Sequence, residues 1–416
     1  MASAQEHDGQ VTLGVELEFL ATMPWSTEDI WKIPEEKVLW NRTHARHALS
    51  QDLANAGLPT VTICRHSGHK AEHCCVCQHN NKGKSSQQGS RQVGLYLPQG
   101  TNIDPQNASM LEADFNTVDE EILGARDLFG KDWQGLEIAS AVFTSQTMAK
   151  ILPVFDVINT RDHVINDSCG MHIHAGFTDG LSHLEAKKIV TVVALVEGCF
   201  IRQILPADRL DSLFIDTIST ESNLSSEAHR AALFEGAQAA SSSSIPVTDE
   251  MRAHLPQVVL EMRKKGWNKN IGHLQLKNLI KSIWNTNNMY ELARGILIKG
   301  GNMRGGAAIC LRLPHKRVIL RNPLRDDIPY KTPSSIEFRY PPMKADKDHF
   351  KLWIELVETI MHFGKMTDTV YSQRLGRLVS VLNGCSAIGQ SWTHVLGELG
   401  LGERIEAWKA HKRGDH

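Results

Sequence analysis

Four short stretches, far apart in the chain, set polar groups at alternate positions against an apolar back, and nearly all of those groups can bind metal or phosphate. They are Val11-Thr-Leu-Gly-Val-Glu16-Leu-Glu18-Phe19, Leu136-Glu137-Ile-Ala-Ser140, Gly170-Met-His172-Ile-His174-Ala-Gly-Phe177 and Ile336-Glu337-Phe-Arg339-Tyr340. Side chains along a strand point alternately to its two faces, so Glu16 and Glu18 project together, roughly 7 Å apart. The same spacing pairs His172 with His174 over Met171, Ile173 and Phe177, and Glu337 with Arg339 over Ile336, Phe338 and Tyr340. Divalent magnesium takes oxygen ligands in near-octahedral geometry and shares substrate phosphates, a demand that Glu16, Glu18, Glu137 and Glu337 meet. An imidazole beside them suits a mixed Mg/Mn nucleotide site. Arg339 presents a planar fork for a phosphoryl or carboxylate group. The expected chemistry is phosphoryl transfer, in which catalysis is mostly positioning and charge neutralisation.

Each piece has a plainer reading by itself. Glu-x-Glu on a strand is commonly a solvated face, and Glu-x-Arg is commonly a surface ion pair worth only ~0–1 kcal/mol. His-x-His between Gly170 and Gly176 is more specific, because glycine admits close backbone approach. Polar and apolar residues staying in phase in at least three of the four stretches weigh against the plain reading.

Strands must carry these groups, and helices must cover their apolar backs. A helix is expected near Arg42–Ala56, stopping at Gly57 and Pro59, and another over Thr144–Thr160 apart from Pro153. Ser182-His-Leu-Glu185 reads as a capping box opening a long helix whose broad apolar face includes Leu184, Ile189, Val192, Val193, Leu195, Val196, Phe200 and Ile204. The apolar run Ile189–Ile201 is interrupted by Glu197 and too short to span a bilayer, so it reads as a buried helix. Residues 217–250, rich in Ser, Ala and Glu, read as a mobile surface segment or lid. Residues 299–325 carry seven basic side chains among glycines and prolines, and beyond Pro342 the pattern is helical. The expected organisation is a catalytic core over 1–342, interrupted by a Cys/His-rich insertion at 60–92, with a helical part at 343–416 packed on it.

The 45 basic and 47 acidic residues nearly balance, which leaves no electrostatic case for nucleic acid or an anionic membrane. The opening Met-Ala-Ser-Ala-Gln-Glu-His-Asp lacks the features of a signal peptide, and four of the eight cysteines lie singly in apolar stretches. A reduced, cytoplasmic enzyme is the expectation.

Ser168-Cys-Gly-Met-His-Ile-His-Ala-Gly176 resembles the Gly-Ser-Gly-Met-His-x-His motif of glutamine synthetases, and Ile336-Glu-Phe-Arg-Tyr-Pro341 resembles their Ile-Glu-x-Arg-x-Pro motif. Gly14-Val-Glu-Leu-Glu-Phe19 with Gly135-Leu-Glu-Ile-Ala-Ser140 is more similar to glutamate–cysteine ligases, and the set is most similar to the amidoligases of fungi and bacteria. All belong to the carboxylate–amine ligase superfamily. That resemblance implies an α+β fold, an antiparallel β-sheet curved into a funnel with helices on its outer face. It implies that Glu18 and Glu137 hold the metal nearer an amino-acid substrate, while Glu16, His172 and Glu337 hold the one bridging ATP phosphates. His174 would lie against the nucleotide, and Arg339 would meet the transferred phosphoryl group or the substrate carboxylate. The implied reaction joins a carboxylate of a small molecule, amino acid or peptide to an amine through an acyl phosphate, with ATP and Mg2+ or Mn2+.

The family's Asp-x-Ser motif is matched poorly near Thr101–Glu112, where Asp104 and Ser109 are the candidates. Arg304, Arg312 and Arg321 are the candidates in the basic stretch for contacts to the nucleotide, and Arg209 for contact with substrate. Cys64-Arg-His-Ser-Gly-His-Lys-Ala-Glu-His-Cys-Cys-Val-Cys-Gln-His79 lies outside the resemblance. Its Cys74-x-x-Cys77 spacing can chelate, and Cys64, His66, His69, His73 or His79 can complete a zinc site, although a flexible reduced loop is the favoured reading. Two alternatives stand beside the ligase: a phosphotransferase of the same superfamily, and a non-catalytic protein using 64–79 as a zinc-stabilised interaction module.

Overall fold

The computed structural model describes residues 9–22, 48–58, 60–67, 86–88, 91–96, 109–111, 133–166, 169–210, 216–225, 245–261, 273–297, 308–312, 335–384 and 391–413. The chain is α+β. Its strands are β1 (Val11–Thr22), β2 (Thr60–Ser67), β3 (Ser86–Gln88), β4 (Arg91–Tyr96), β5 (Ser109–Leu111), β6 (Trp133–Ala139), β7 (His163–Val164), β8 (Met171–Phe177), β9 (Ile309–Arg312) and β10 (Ser335–Phe338). They form one ten-stranded sheet in the order β3-β4-β2-β5-β6-β1-β8-β10-β9, with β7 beside β1. The β1–β6, β8–β10 and β9–β10 ladders are antiparallel, whereas β2 and β5 run parallel.

The four stretches that carry the candidate chemistry are therefore β6, β1, β8 and β10 with the two residues after it, consecutive neighbours in the sheet. The apolar backs Val11, Leu13, Val15, Leu17, Phe19, Leu136, Ile138, Met171, Ile173, Ile336 and Phe338 are all buried. On β8 and β10 the opposite face is covered as well, since His172 and Glu337 are also buried.

The chain folds as two compact units. One comprises Gly14–His172 with Met343–Lys347, the other Met1–Leu13, Ile173–Pro342 and Asp348–His416. In the first, helix α1 (48–55) and helix α2 (Pro153–Asn159) bring Leu53 and Val154 beside Val15, Leu17 and Ile138. Lys347 pairs with Asp156 at 2.6 Å, and the Asn159 amide donates to the Ala345 carbonyl at 2.9 Å.

In the second unit, the expected capping box opens helix α3 (His183–Val196). The Glu185 N–H donates to Ser182 Oγ at 3.3 Å, and the Ser182 N–H donates to Glu185 Oε2 at 2.7 Å. All residues from Ala186 to Val196 are buried, including Lys187 and Lys188. Lys187 donates to Glu250 and to the Trp284 carbonyl, and Lys188 to the Met366 carbonyl and Asp368. Buried ammonium groups are tolerable only when paired in this way. Helix α4 (His273–Trp284) docks through Trp284, whose indole N–H donates to Thr191 Oγ1 at 2.9 Å. Helices α5 (Met289–Ile296), α6 (Lys347–Lys365), α7 (Asp368–Gly384), α8 (Ser391–Glu398) and α9 (Ile405–Arg413) complete the described helices of eight residues or more. Trp353 and Trp408 meet edge to face at 5.2 Å between α6 and α9.

Several expectations change. The run Asn80–Arg91, read as a loop, contains β3 and the first residue of β4, and 60–67 is a paired strand, so the described parts of 60–92 extend the sheet. Backbone pairing with neighbouring strands supplies the order that composition there does not advertise. Thr217, Ile218, Ser219, Ser222 and Leu224 are buried, which overturns a mobile surface reading for the start of 217–250; residues 226–244 lie outside the described residues. The helix expected from Thr144 begins as a 3-10 turn, Ser145–Lys150, before α2. Among the described residues, no helix is long and apolar enough to cross a membrane.

Candidate functional site

Glu18 on β1 stands directly opposite Glu137 on β6, so their side chains share a face of the sheet. Two residues along, Glu16 occupies the same face. His172 on β8 reaches both acidic side chains of β1, with Nδ1 3.3 Å from Glu16 Oε2 and Nε2 3.7 Å from Glu18 Oε2. His172 is 3% exposed, while the Glu16 and Glu18 side chains keep 26% and 19% of their surface. The backbone sets this geometry: the Glu18 N–H donates to the Gly170 carbonyl at 3.0 Å, and the Gly170 N–H donates to Glu18 Oε2 at 2.9 Å. Val15 N–H donates to Ser140 Oγ at 2.9 Å, which ties the end of β6 to β1.

This donor set suits a divalent cation on chemical grounds. Like charges directly opposite across a ladder repel. A neutral imidazole has one N–H, yet both ring nitrogens of His172 face carboxylate oxygens. A shared cation relieves both conflicts. Three carboxylates and one imidazole form the mixed oxygen and nitrogen set that Mg2+ or Mn2+ accepts.

On the other side of β8, His174 lies opposite Glu337 of β10, and Glu337 lies opposite Cys310 of β9. Glu337 is fully buried and sits between two guanidinium groups. Arg312 Nε bonds its Oε2, and Arg339 Nε lies 3.7 Å from its Oε1. Arg339 is held by its backbone, since its N–H donates to the Ala308 carbonyl at 2.8 Å and its carbonyl accepts from Arg209 Nη2 at 2.9 Å. The buried Nε–H of Arg339 has no hydrogen-bond acceptor among the described residues. An oriented, charged donor of this kind is chemically able to meet an anion.

The structure thus gathers Glu16, Glu18, Glu137 and His172 in one unit, and His174, Glu337, Arg339, Arg312 and Arg209 in the other. Arg209, expected to touch substrate, is 2% exposed, and its Nη2 donates to the Arg339 carbonyl at 2.9 Å. Arg304 and Arg321, Asp104, and residues 68–79 of the Cys/His cluster lie outside the described residues; Cys64 and His66 fall within β2, and Ser109 opens β5. Cys169, Cys199 and Cys310 are buried and outside any disulfide, with the Cys169 thiol donating to Asn166 Oδ1 and the Cys199 thiol to the Leu195 carbonyl.

Sequence reasoning missed Glu197 and Tyr340 as polar partners. Glu197 registered as a break in an apolar run and Tyr340 as an apolar back, yet the Tyr340 hydroxyl donates to Glu197 Oε1 at 2.5 Å in the interior. The available signal was an acid inside a stretch that is otherwise buried helix, because such a charge requires a partner.

Comparison of the chain with protein-family models, with characterised proteins and with solved structures found no match.

Proposed function

We propose that this chain is an ATP-dependent carboxylate–amine ligase with a funnel-like sheet of the glutamine synthetase kind. In this reading Glu16, Glu18, Glu137, His172 and Glu337 are the ligands for Mg2+ or Mn2+, the set that the resemblance to carboxylate–amine ligases implies. The observation that carries the reading is the run of neighbouring strands β6-β1-β8-β10, with acids and imidazole at one end and the Glu337–Arg339 pair at the other.

The chemistry asks for such a surface. The γ-phosphoryl group passes from ATP to a carboxylate oxygen and ADP departs. The amine nitrogen then bonds to the acyl carbon, phosphate leaves with the former carboxylate oxygen, and one amine proton is lost. Bound cations would offset the repulsion between the carboxylate and the phosphate charges. Arg339 supplies a fixed cationic donor toward the phosphoryl group or the acid, and Glu337 orients that guanidinium while limiting its net charge. His172, braced by Glu16, offers nitrogen where the acids offer oxygen.

A screen of acid–amine pairs for ADP release with magnesium, followed by mass analysis of products, tests the proposal. Release that requires both partners, and an amide product, are expected. A stable phosphorylated product without amine dependence would replace the ligase by a phosphotransferase. Absence of nucleotide binding together with stoichiometric zinc would replace it by a binding protein.

A further inference from the structure

Helix α3 does not simply end. At Glu197 it widens into a single π-turn, Glu197–Ile201, before Arg202–Ile204 resumes α-helical form. π-turns are rare and recur at functional positions, because the extra residue re-aims a side chain. Here the turn starts at the one acid in an otherwise apolar stretch, and Glu197 is 0% exposed.

Three donors converge on that carboxylate. Oε1 accepts from the Ile218 N–H at 3.1 Å and from the Tyr340 hydroxyl at 2.5 Å, and Oε2 accepts from the Ser219 N–H at 3.1 Å. Burial pushes the Glu197 carboxyl above its ordinary range, against the pull of those hydrogen bonds. Burial and the neighbouring Glu197 charge push the Tyr340 phenol well up, so it remains a donor.

The partners form a closed circuit. Ile218 and Ser219 connect through Glu197 to Tyr340, the residue after Arg339. By a second route the Asp216 carbonyl accepts from the Ala308 N–H at 2.9 Å, and the Ala308 carbonyl accepts from the Arg339 N–H. Arg209 closes on the Arg339 carbonyl. Both peptide groups flanking Arg339 are thereby anchored, one of them through the Tyr340 ring.

We propose that Glu197 is a positioning residue for Arg339, acting through the Tyr340 hydroxyl to fix the guanidinium before an anionic group arrives. This rests on the ligase reading only in assigning Arg339 a phosphoryl or carboxylate partner. Preorganisation of this sort lowers the reorganisation needed during reaction, and a misplacement of about 1 Å costs roughly a hundredfold in rate.

The test uses the full chain with Tyr340→Phe and, separately, Glu197→Gln. The arginine Nε–H spectrum is recorded for each, with the Arg339 signal identified by its loss in Arg339→Lys. The Arg339 signal should shift or broaden in both variants, while those of the distant surface residues Arg377 and Arg404 stay in place. An unmoved Arg339 signal in folded Tyr340→Phe overturns the proposal. Failure of both variants to fold overturns it too, by assigning Glu197 to stability alone. With an active acid–amine pair, turnover should fall roughly ten- to a hundredfold with KM nearly constant. If the unaltered protein releases no ADP with any pair, the ligase reading fails, while the arginine spectrum still decides the positioning role.

Discussion

Glu18 and Glu137 occupy directly opposed positions on β1 and β6, two carboxylates on one face of adjacent strands. Their mutual repulsion is a cost on the order of 0.2–1 kcal/mol that a divalent cation would remove. Manganese or magnesium at a hundredfold excess over its dissociation constant should therefore stabilise the protein by about 2.7 kcal/mol. Glu137→Gln should match or exceed the parent's stability without metal and lose most of the metal response. A calorimetric melting temperature insensitive to both cations in the parent would remove the metal assignment.

Glu337 needs a gentler substitution than alanine. Its buried carboxylate lies between Arg312 and Arg339, so Glu337→Ala leaves two guanidinium groups without their shared partner. Because the Arg312 side chain is 35% exposed, a loss on the order of 2–4 kcal/mol is expected, near the lower part of the range for broken buried pairs. Glu337→Gln keeps the shape and should cost less, while abolishing ADP release. Equal denaturation midpoints for the alanine variant and the parent would show that the pair contributes nothing to the fold.

His183 gives the fold a pH dependence. Burial, then the nearby Lys187 charge, pull its imidazole down to about 4, and Glu250 opposes them only in part. Its Nε2 lies 3.0 Å from Thr286 Oγ1. The unfolded chain binds a proton near the ordinary value of about 6.5, before the folded chain does. Stability should thus fall as pH drops from about 6.5 to about 4, then lose no more from this group. His183→Gln should flatten that part of the profile in urea titrations. An identical slope in parent and variant would show that His183 does not contribute.

Lys365 ties α6 to the turn after β8. Its ammonium lies 2.7 Å from Asp179 and 2.8 Å from Glu185, and 4.5 Å from the Phe177 ring centroid. A Cβ at Gly9 would collide with Lys365 Cε and come within 2.8 Å of Asp179 Oδ1. Gly9→Ala and Lys365→Met should each cost roughly 1 kcal/mol, a modest figure because Asp179 is largely exposed. The double variant should cost clearly less than the sum, since both disturb one cluster. Full additivity in chemical denaturation would show that the two act separately.

How much of this was legible in the sequence follows from the range of the forces involved. Period-two alternation around Glu16, His172 and Glu337 is a local pattern, so strands β1, β8 and β10 could be read from it. The Ser182–Glu185 capping box is local as well, and its hydrogen bonds form as expected. The polar connections between distant residues could not be read. Tyr340 and Glu197 are separated by 143 positions, and nothing near either names the other. Burial of Thr217, Ser219 and Ser222 was equally hidden, because a Ser-rich composition resembles a solvated loop until a buried acid claims its backbone N–H groups. Strands β3 and β4 went unread where the glycine- and serine-rich run around them masked any alternation.

The placement of β1 in the middle of the sheet has a consequence for biosynthesis. Its hydrogen-bonding partners β6 and β8 emerge from the ribosome more than a hundred residues after it, a delay on the order of ten seconds at usual elongation rates. During that interval the strand, apolar on one face from Val11 to Phe19, waits with both edges unsatisfied, a state in which unpaired backbone invites pairing with other chains.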